Sequence, residues 1–165
     1  MKIAFIGLGI MGSNMASHLA KNNLNLTVYN RTPKNFETFG NSTVTIADSI
    51  ENAVKDADVV FSMLSTPQVV EEVFFGAKGA LKSMKKNAIW ADCTTVNPSF
   101  SISAFEEANK YNIRFLDTPV SGSKIPAENA ELIFLVGGEE KALNEIQPYL
   151  NMMGNKVLHI GDIGK

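Results

Sequence analysis

An α/β fold, with a doubly wound, mostly parallel sheet covered by helices on both faces, follows from three observations in this 165-residue sequence. Short apolar runs alternate with amphipathic stretches from end to end, which is the pattern of βαβ units. Most of those runs are continuously apolar, as strands buried on both faces must be. A glycine cluster stands at the first junction between an apolar run and a helical stretch, where a tight turn is needed. With 45% hydrophobic and 19% charged residues, the chain suits one globular domain that buries its own core.

Strands are predicted at Lys2–Gly7, Asn25–Asn30, Val59–Leu64, Ala88–Asp92, Arg114–Pro119, Leu132–Gly137 and Lys156–Ile160. A further short piece at Val44–Ile46 is left open. Thr66-Pro67 and Asn97-Pro98 each set an N-cap residue before a proline suited to the first helical position. Helices are expected there and over Ile10–Lys21, Asp48–Lys55, Pro98–Asn109 and Glu139–Asn151, the last interrupted or bent by Pro148. The tail from Gly154 to Lys165 supplies one strand and then a loop-like run that leads nowhere, so the chain reads as a piece of a longer protein.

Charge and cysteine content exclude several function classes. Fifteen basic and 17 acidic residues give a net charge of -2 without a Lys/Arg block, so neither nucleic acid nor a membrane is an expected partner. Any anionic ligand must be held by local groups. The single cysteine, Cys93, excludes an internal disulfide and any CxxC metal site, and points to a cytoplasmic protein. No apolar run approaches the roughly 18 residues of a membrane span. Lys2 to Gly12 superficially resembles a signal-peptide core, but its glycines have a better explanation.

Gly7-Leu8-Gly9-Ile10-Met11-Gly12 places G-x-G-x-x-G after a strand and at the mouth of a helix. Gly7 permits the tight turn, Gly9 lets the backbone approach a pyrophosphate, and Gly12 lets the helix pack on the strand. Free N–H groups and the positive helix end then face the phosphates. This context predicts a Rossmann-type dinucleotide site.

The end of the second strand indicates which dinucleotide. An acidic residue there would bind the ribose hydroxyls of NAD. The sequence instead has Asn30-Arg31-Thr32. An amide, a guanidinium and a hydroxyl can all bond to a 2′-phosphate that a carboxylate would repel, so NADPH is expected over NADH.

These segments, with Asp92-Cys93-Thr94-Thr95-Val96 and Asp117-Thr118-Pro119-Val120-Ser121-Gly122-Ser123, resemble the β-hydroxyacid dehydrogenase family over Met1 to Lys165. That family includes 3-hydroxyisobutyrate dehydrogenases and tartronate semialdehyde reductases. Lys124-Ile125-Pro126-Ala127-Glu128-Asn129 and the Asn30-Arg31-Thr32 corner are most similar to its NADPH-dependent glyoxylate/succinic semialdehyde reductases. The resemblance implies an N-terminal NAD(P)-binding domain over residues 1–165, with a helical domain beyond it that supplies subunit contacts in a homo-oligomer. It places Leu64, Ser65, Thr66 and Pro67 along the nicotinamide-side ribose, Thr95 near the nicotinamide, and Ser121, Gly122 and Ser123 on the carboxylate of a small substrate. Physically, Thr66 also suits a helix cap, and two hydroxyls flanking a glycine suit a carboxylate.

Hydride transfer to a carbonyl needs a proton donor beside the oxygen that gains charge. No residue of the chain is assigned that role. The resemblance gives it to a lysine after a glycine-rich loop that Gly161-Asp162-Ile163-Gly164 begins, and Lys165 comes too early to be that lysine. His18 and His159 read as packing or edge residues, Cys93 as a small buried residue, and Trp90 and the methionines, Met63 included, as core. Imine reductases and 6-phosphogluconate dehydrogenases are enzymatic alternatives, and a non-catalytic dinucleotide-binding module is an alternative of another class.

Overall fold

The computed structural model describes residues 1–33, 36–39 and 43–165. Among them one sheet contains nine strands: β1 (Lys2–Ile6), β2 (Asn25–Tyr29), β3 (Thr45–Ile46), β4 (Val59–Ser62), β5 (Ile89–Asp92), β6 (Arg114–Asp117), β7 (Val120–Ser121), β8 (Leu132–Gly137) and β9 (Gly154–Gly161). The helices are α1 (Ile10–Ala20), α2 (Ile50–Val54), α3 (Pro67–Phe74), α4 (Ala80–Ser83), α5 (Pro98–Lys110), α6 (Lys124–Glu128) and α7 (Glu140–Met153), with a 3-10 turn at Phe36–Phe39.

The strands run in the order β3-β2-β1-β4-β5-β6-β8, parallel as far as β6. β8 lies antiparallel to β6 and β7, and β9 is parallel to β8. Thr118 and Pro119 separate β6 from β7, so the two behave as one interrupted strand along the same side of β8. The chain passes from β1 to β2 on one side and to β4 on the other. A crevice therefore opens above the carboxyl end of β1, where ligands of open α/β sheets bind. This is the Rossmann-like architecture that the alternation of elements predicts.

Residue alternation along the strands sends side chains into two cores. Ile3, Phe5, Val59, Phe61, Ile89 and Ala91 face the layer that holds Met15 and Leu19 of α1 and Leu143, Ile146 and Leu150 of α7. Ala4, Ile6, Val60 and Trp90 face the opposite layer, with Val54, Val70, Phe74, Leu81 and Ala104. Each large apolar side chain so buried contributes about 1.5–3 kcal/mol before chain entropy is counted. Trp90 stacks on Phe74 with ring centroids 4.1 Å apart and meets Phe115 edge-on.

Observed ends of the longer elements differ from expectation by a few residues, and Val44–Ile46 yields the two-residue β3. Three expectations change more. α7 runs uninterrupted through Pro148, which is exposed, as is Asn144, the residue whose carbonyl loses an N–H partner there. α4, α6 and β7 are present without having been predicted, being too short to show a period. The tail does not lead nowhere: the Gly138 N–H donates to the Gly161 carbonyl, the Gly164 N–H donates to the Asp117 carboxylate, and Ile163 packs on the second core.

Candidate functional site

A cleft of about 380 Å³ lies above the carboxyl ends of β1, β2 and β4. Its floor is the β1–α1 turn (Gly7, Gly9, Ile10, Met11 and Gly12). One wall is Tyr29, Asn30, Arg31 and Thr32, and the other is Met63, Leu64 and Ser65, with Val69 and Val73 of α3. Residues widely separated in sequence thus meet at the point where the strand order reverses.

The three glycines are required for different reasons. Gly7 adopts φ +98°, and a Cβ there would lie 2.3 Å from the Met63 carbonyl oxygen. A Cβ on Gly12 would lie 2.0 Å from the Gly7 carbonyl oxygen, so that glycine sets how closely α1 approaches the turn. Gly9 has an ordinary φ of -70°, and a Cβ there would meet nothing within 4 Å. Its side is open, which leaves room for a group to approach the backbone. α1 has no side-chain N-cap and no acidic residue in its first turn, so its positive end is not compensated by a side chain. The turn therefore fits the phosphates of a dinucleotide.

At the corner after β2, the Asn30 carbonyl oxygen accepts the Leu8 N–H at 2.9 Å, and its amide nitrogen donates to the Thr32 carbonyl at 2.6 Å. Expected as a phosphate contact, Asn30 uses its side chain to tie the glycine turn to the corner after β2. Leu8, expected in the same role, is fully buried and lies outside the cleft lining. Arg31 stays at the rim, with its guanidinium 3.9 Å from the Glu72 carboxylate on α3 and their side chains 77% and 67% exposed. A pair so exposed and so long is weak, leaving Arg31 available to another anion.

The remaining predicted residues lie outside the cleft lining. The Thr66 hydroxyl accepts the Val69 N–H at 3.2 Å and Pro67 opens α3, so the capping role of Thr66 is realised. Thr95 is exposed beyond β5. Ser121, Gly122 and Ser123 are exposed between β7 and α6, with Gly122 at φ +131°. Tyr29, Met63, Val69 and Val73 were not predicted as cleft residues, and Met63 was read as core. The i, i+4 spacing of Val69 and Val73 was the available signal, since it puts both on one face of α3.

Below the walls runs a buried polar network that the sequence reading also missed. The Trp90 indole N–H donates to the Ser62 hydroxyl at 2.9 Å, and Ser62 donates to Asp92 at 2.8 Å. Thr94 bonds to Asp92 through both its hydroxyl and its N–H, and its hydroxyl oxygen accepts the Leu64 N–H at 3.0 Å. Burial pushes the Asp92 carboxyl up to about 6 against these bonds, with a smaller contribution from nearby Asp117. Asp117 is also raised, chiefly by burial. Cys93 lies beside them, fully buried and 3.3 Å from the Thr118 hydroxyl, and burial pushes its thiol up to about 12.

Of the histidines, His18 bonds through Nε2 to the Ala127 carbonyl of α6, and His159 stands exposed on β9 against the Gly138 carbonyl. Neither lines the cleft. Among the described residues no cluster of His, Cys, Asp and Glu could hold a metal ion, and no helix is long and apolar enough to cross a membrane.

Residues 2–161 match the family model of the NAD binding domain of 6-phosphogluconate dehydrogenase. An uncharacterized oxidoreductase of Bacillus subtilis is 37% identical over 162 residues, 98% of this chain and 56% of its own length. The chloroplastic glyoxylate/succinic semialdehyde reductase 2 of Arabidopsis thaliana is 34% identical over 164 residues, covering 99% and 46%. The structure of a Mycobacterium tuberculosis 3-hydroxyisobutyrate dehydrogenase with L-serine superposes with a TM-score of 0.91 at 31% identity, covering 99% of this chain and 55% of that one. The chain spans about half the length of the curated relatives it matches. With the glycine turn and the strand order, these likenesses show that the chain belongs to the β-hydroxyacid dehydrogenase family and carries its NAD-binding domain.

Proposed function

We propose that this chain is the NADP(H)-binding part of an oxidoreductase that transfers hydride between NADPH and a small aldehyde acid or β-hydroxyacid. The observation that carries this reading is the cleft that unites the open glycine turn with Arg31 and Thr32. Relatives named as a glyoxylate/succinic semialdehyde reductase and as 3-hydroxyisobutyrate dehydrogenases support the substrate class.

A bound nicotinamide cofactor supplies the hydride. The backbone from Gly7 to Gly12 and the first turn of α1 hold the pyrophosphate, and Arg31 and Thr32 bind the 2′-phosphate. In this reading Leu64, Ser65, Pro67 and Thr95, which follow the carboxyl ends of β4 and β5, would hold the nicotinamide half of the cofactor. Ser121, Gly122 and Ser123 receive the substrate carboxylate through hydroxyls and backbone N–H groups. The proton donor is assigned to no residue of this chain, so the chain alone binds cofactor without efficient turnover. A homo-oligomer and a cytoplasmic location belong to the same reading, the latter resting on the single buried thiol.

Calorimetric titration with NADPH and then NADH tests the assignment. Saturable binding that favours NADPH by about tenfold or more is expected from one charged hydrogen bond to the 2′-phosphate. Preference for NADH would remove Arg31 from the site, and binding of neither would overturn the dinucleotide reading for this chain.

A further inference from the structure

Polar side chains that are wholly buried and reach no ligand need another reason to be polar. Thr94 is such a residue, with no exposed surface. Its hydroxyl accepts the Leu64 N–H at 3.0 Å and bonds to Asp92, whose carboxylate also accepts from Ser62. Ser62 in turn accepts from Trp90 at 2.9 Å. Each donor in this chain of bonds has a partner, and no buried polar side-chain atom among the described residues is left without one. The bonds join β4 and β5 at their carboxyl ends, so the backbone of the cleft wall at Leu64 and Ser65 is fixed to the start of the loop that carries Thr95.

We propose that Thr94 is a positioning residue for the nicotinamide half of the cofactor: its hydroxyl holds the Leu64–Ser65 wall at the separation from Thr95 that this half of the site requires. The proposal rests on the dinucleotide reading above. Thr94 itself touches no ligand. The Arg31 corner is fixed by bonds that do not involve Thr94, those of Asn30 to Leu8 and Thr32. Loss of the hydroxyl therefore acts on one half of the site only.

The test compares NADPH with adenosine 2′,5′-bisphosphate, a probe of the adenosine half alone, by calorimetry on the whole chain. Thr94→Val keeps the shape and removes the acceptor of the Leu64 N–H, so NADPH affinity is expected to fall about tenfold. Affinity for the bisphosphate should stay within about twofold of wild type. Thr94→Ser restores the hydroxyl and should bind both as the wild type does. Equal weakening of both ligands, weakening of neither, or a Thr94→Ser variant as impaired as Thr94→Val would overturn the proposal. If Thr94→Val gives no cooperative melt, Thr94→Ala, which also removes the acceptor of the Leu64 N–H, must give the same split; unchanged NADPH affinity there would overturn it too. Wild-type protein that binds neither ligand would bring down the dinucleotide reading and this proposal together. Wild-type binding without the split removes Thr94 alone.

Discussion

Replacing Gly9 with alanine should separate binding from folding, because its side of the backbone is open and its φ of -70° suits any residue. The added methyl meets no protein atom within 4 Å, so no clash opposes it. Alanine is a poorer N-cap than glycine by up to about 1 kcal/mol, while lower entropy of the unfolded chain returns about 0.4–1 kcal/mol. These nearly cancel, and chemical denaturation should find stability unchanged within about 0.5 kcal/mol. The same methyl occupies the approach to the N–H groups at the start of α1, where a phosphate would sit. Affinity for NADPH should fall at least about tenfold, or about 1.4 kcal/mol. Gly12→Ala is the counterpart. Its Cβ would lie 2.0 Å from the Gly7 carbonyl oxygen and 3.3 Å from the Phe5 ring, so backbone must move and stability should fall by about 2–4 kcal/mol. Undiminished NADPH affinity in a stable Gly9→Ala protein would refute the placement of the pyrophosphate on this turn.

Arg31→Ala should lose most of the NADPH preference, whereas Glu72→Gln should raise it by about twofold to fivefold by removing the competing carboxylate; titrations at low and high salt check both. For Asp92, the folded carboxyl at about 6 lies above its unfolded value, so its contribution to stability is present at low pH and lost as pH rises through about 6. Stability of Asp92→Asn minus that of wild type should therefore increase by about 2 kcal/mol from pH 4 to pH 7, read by urea melts across that range. A flat difference would mean that Asp92 titrates normally. In a catalytically competent protein that contains this domain, Ser121→Ala should raise KM for the carboxylate substrate by about fivefold to tenfold, and unchanged kinetics would count against Ser121.

Much of the architecture could be read from sequence because it rests on local signals. Buried parallel strands are continuously apolar, and the caps at Thr66 and Asn97 form the bonds that their sequence contexts predict. The glycine turn was readable because Gly7, Gly9 and Gly12 answer to the geometry of one strand and one helix. What escaped depends on partners far along the chain. That the Asn30 side chain also bonds to Leu8, 22 residues earlier, cannot be read from its own corner. Ser62 ends β4 and Asp92, 30 residues later, ends β5 just before Thr94, and only the register of β4 against β5 brings them together. Met63 follows a buried strand and packs on the first core as expected, but it also lines the cleft, which its local sequence does not show.

The setting of Cys93 has a practical consequence. A thiol that is fully buried and held near 12 is not ionised at neutral pH, and only the thiolate reacts with maleimides or disulfide reagents. Since it is the sole cysteine, the native protein is a silent background for thiol labelling. A cysteine introduced at an exposed site such as Thr95 or Ser123 would be the one reactive group, so a fluorophore or spin label could report from the loop after β5 or after β7 without first removing a native residue.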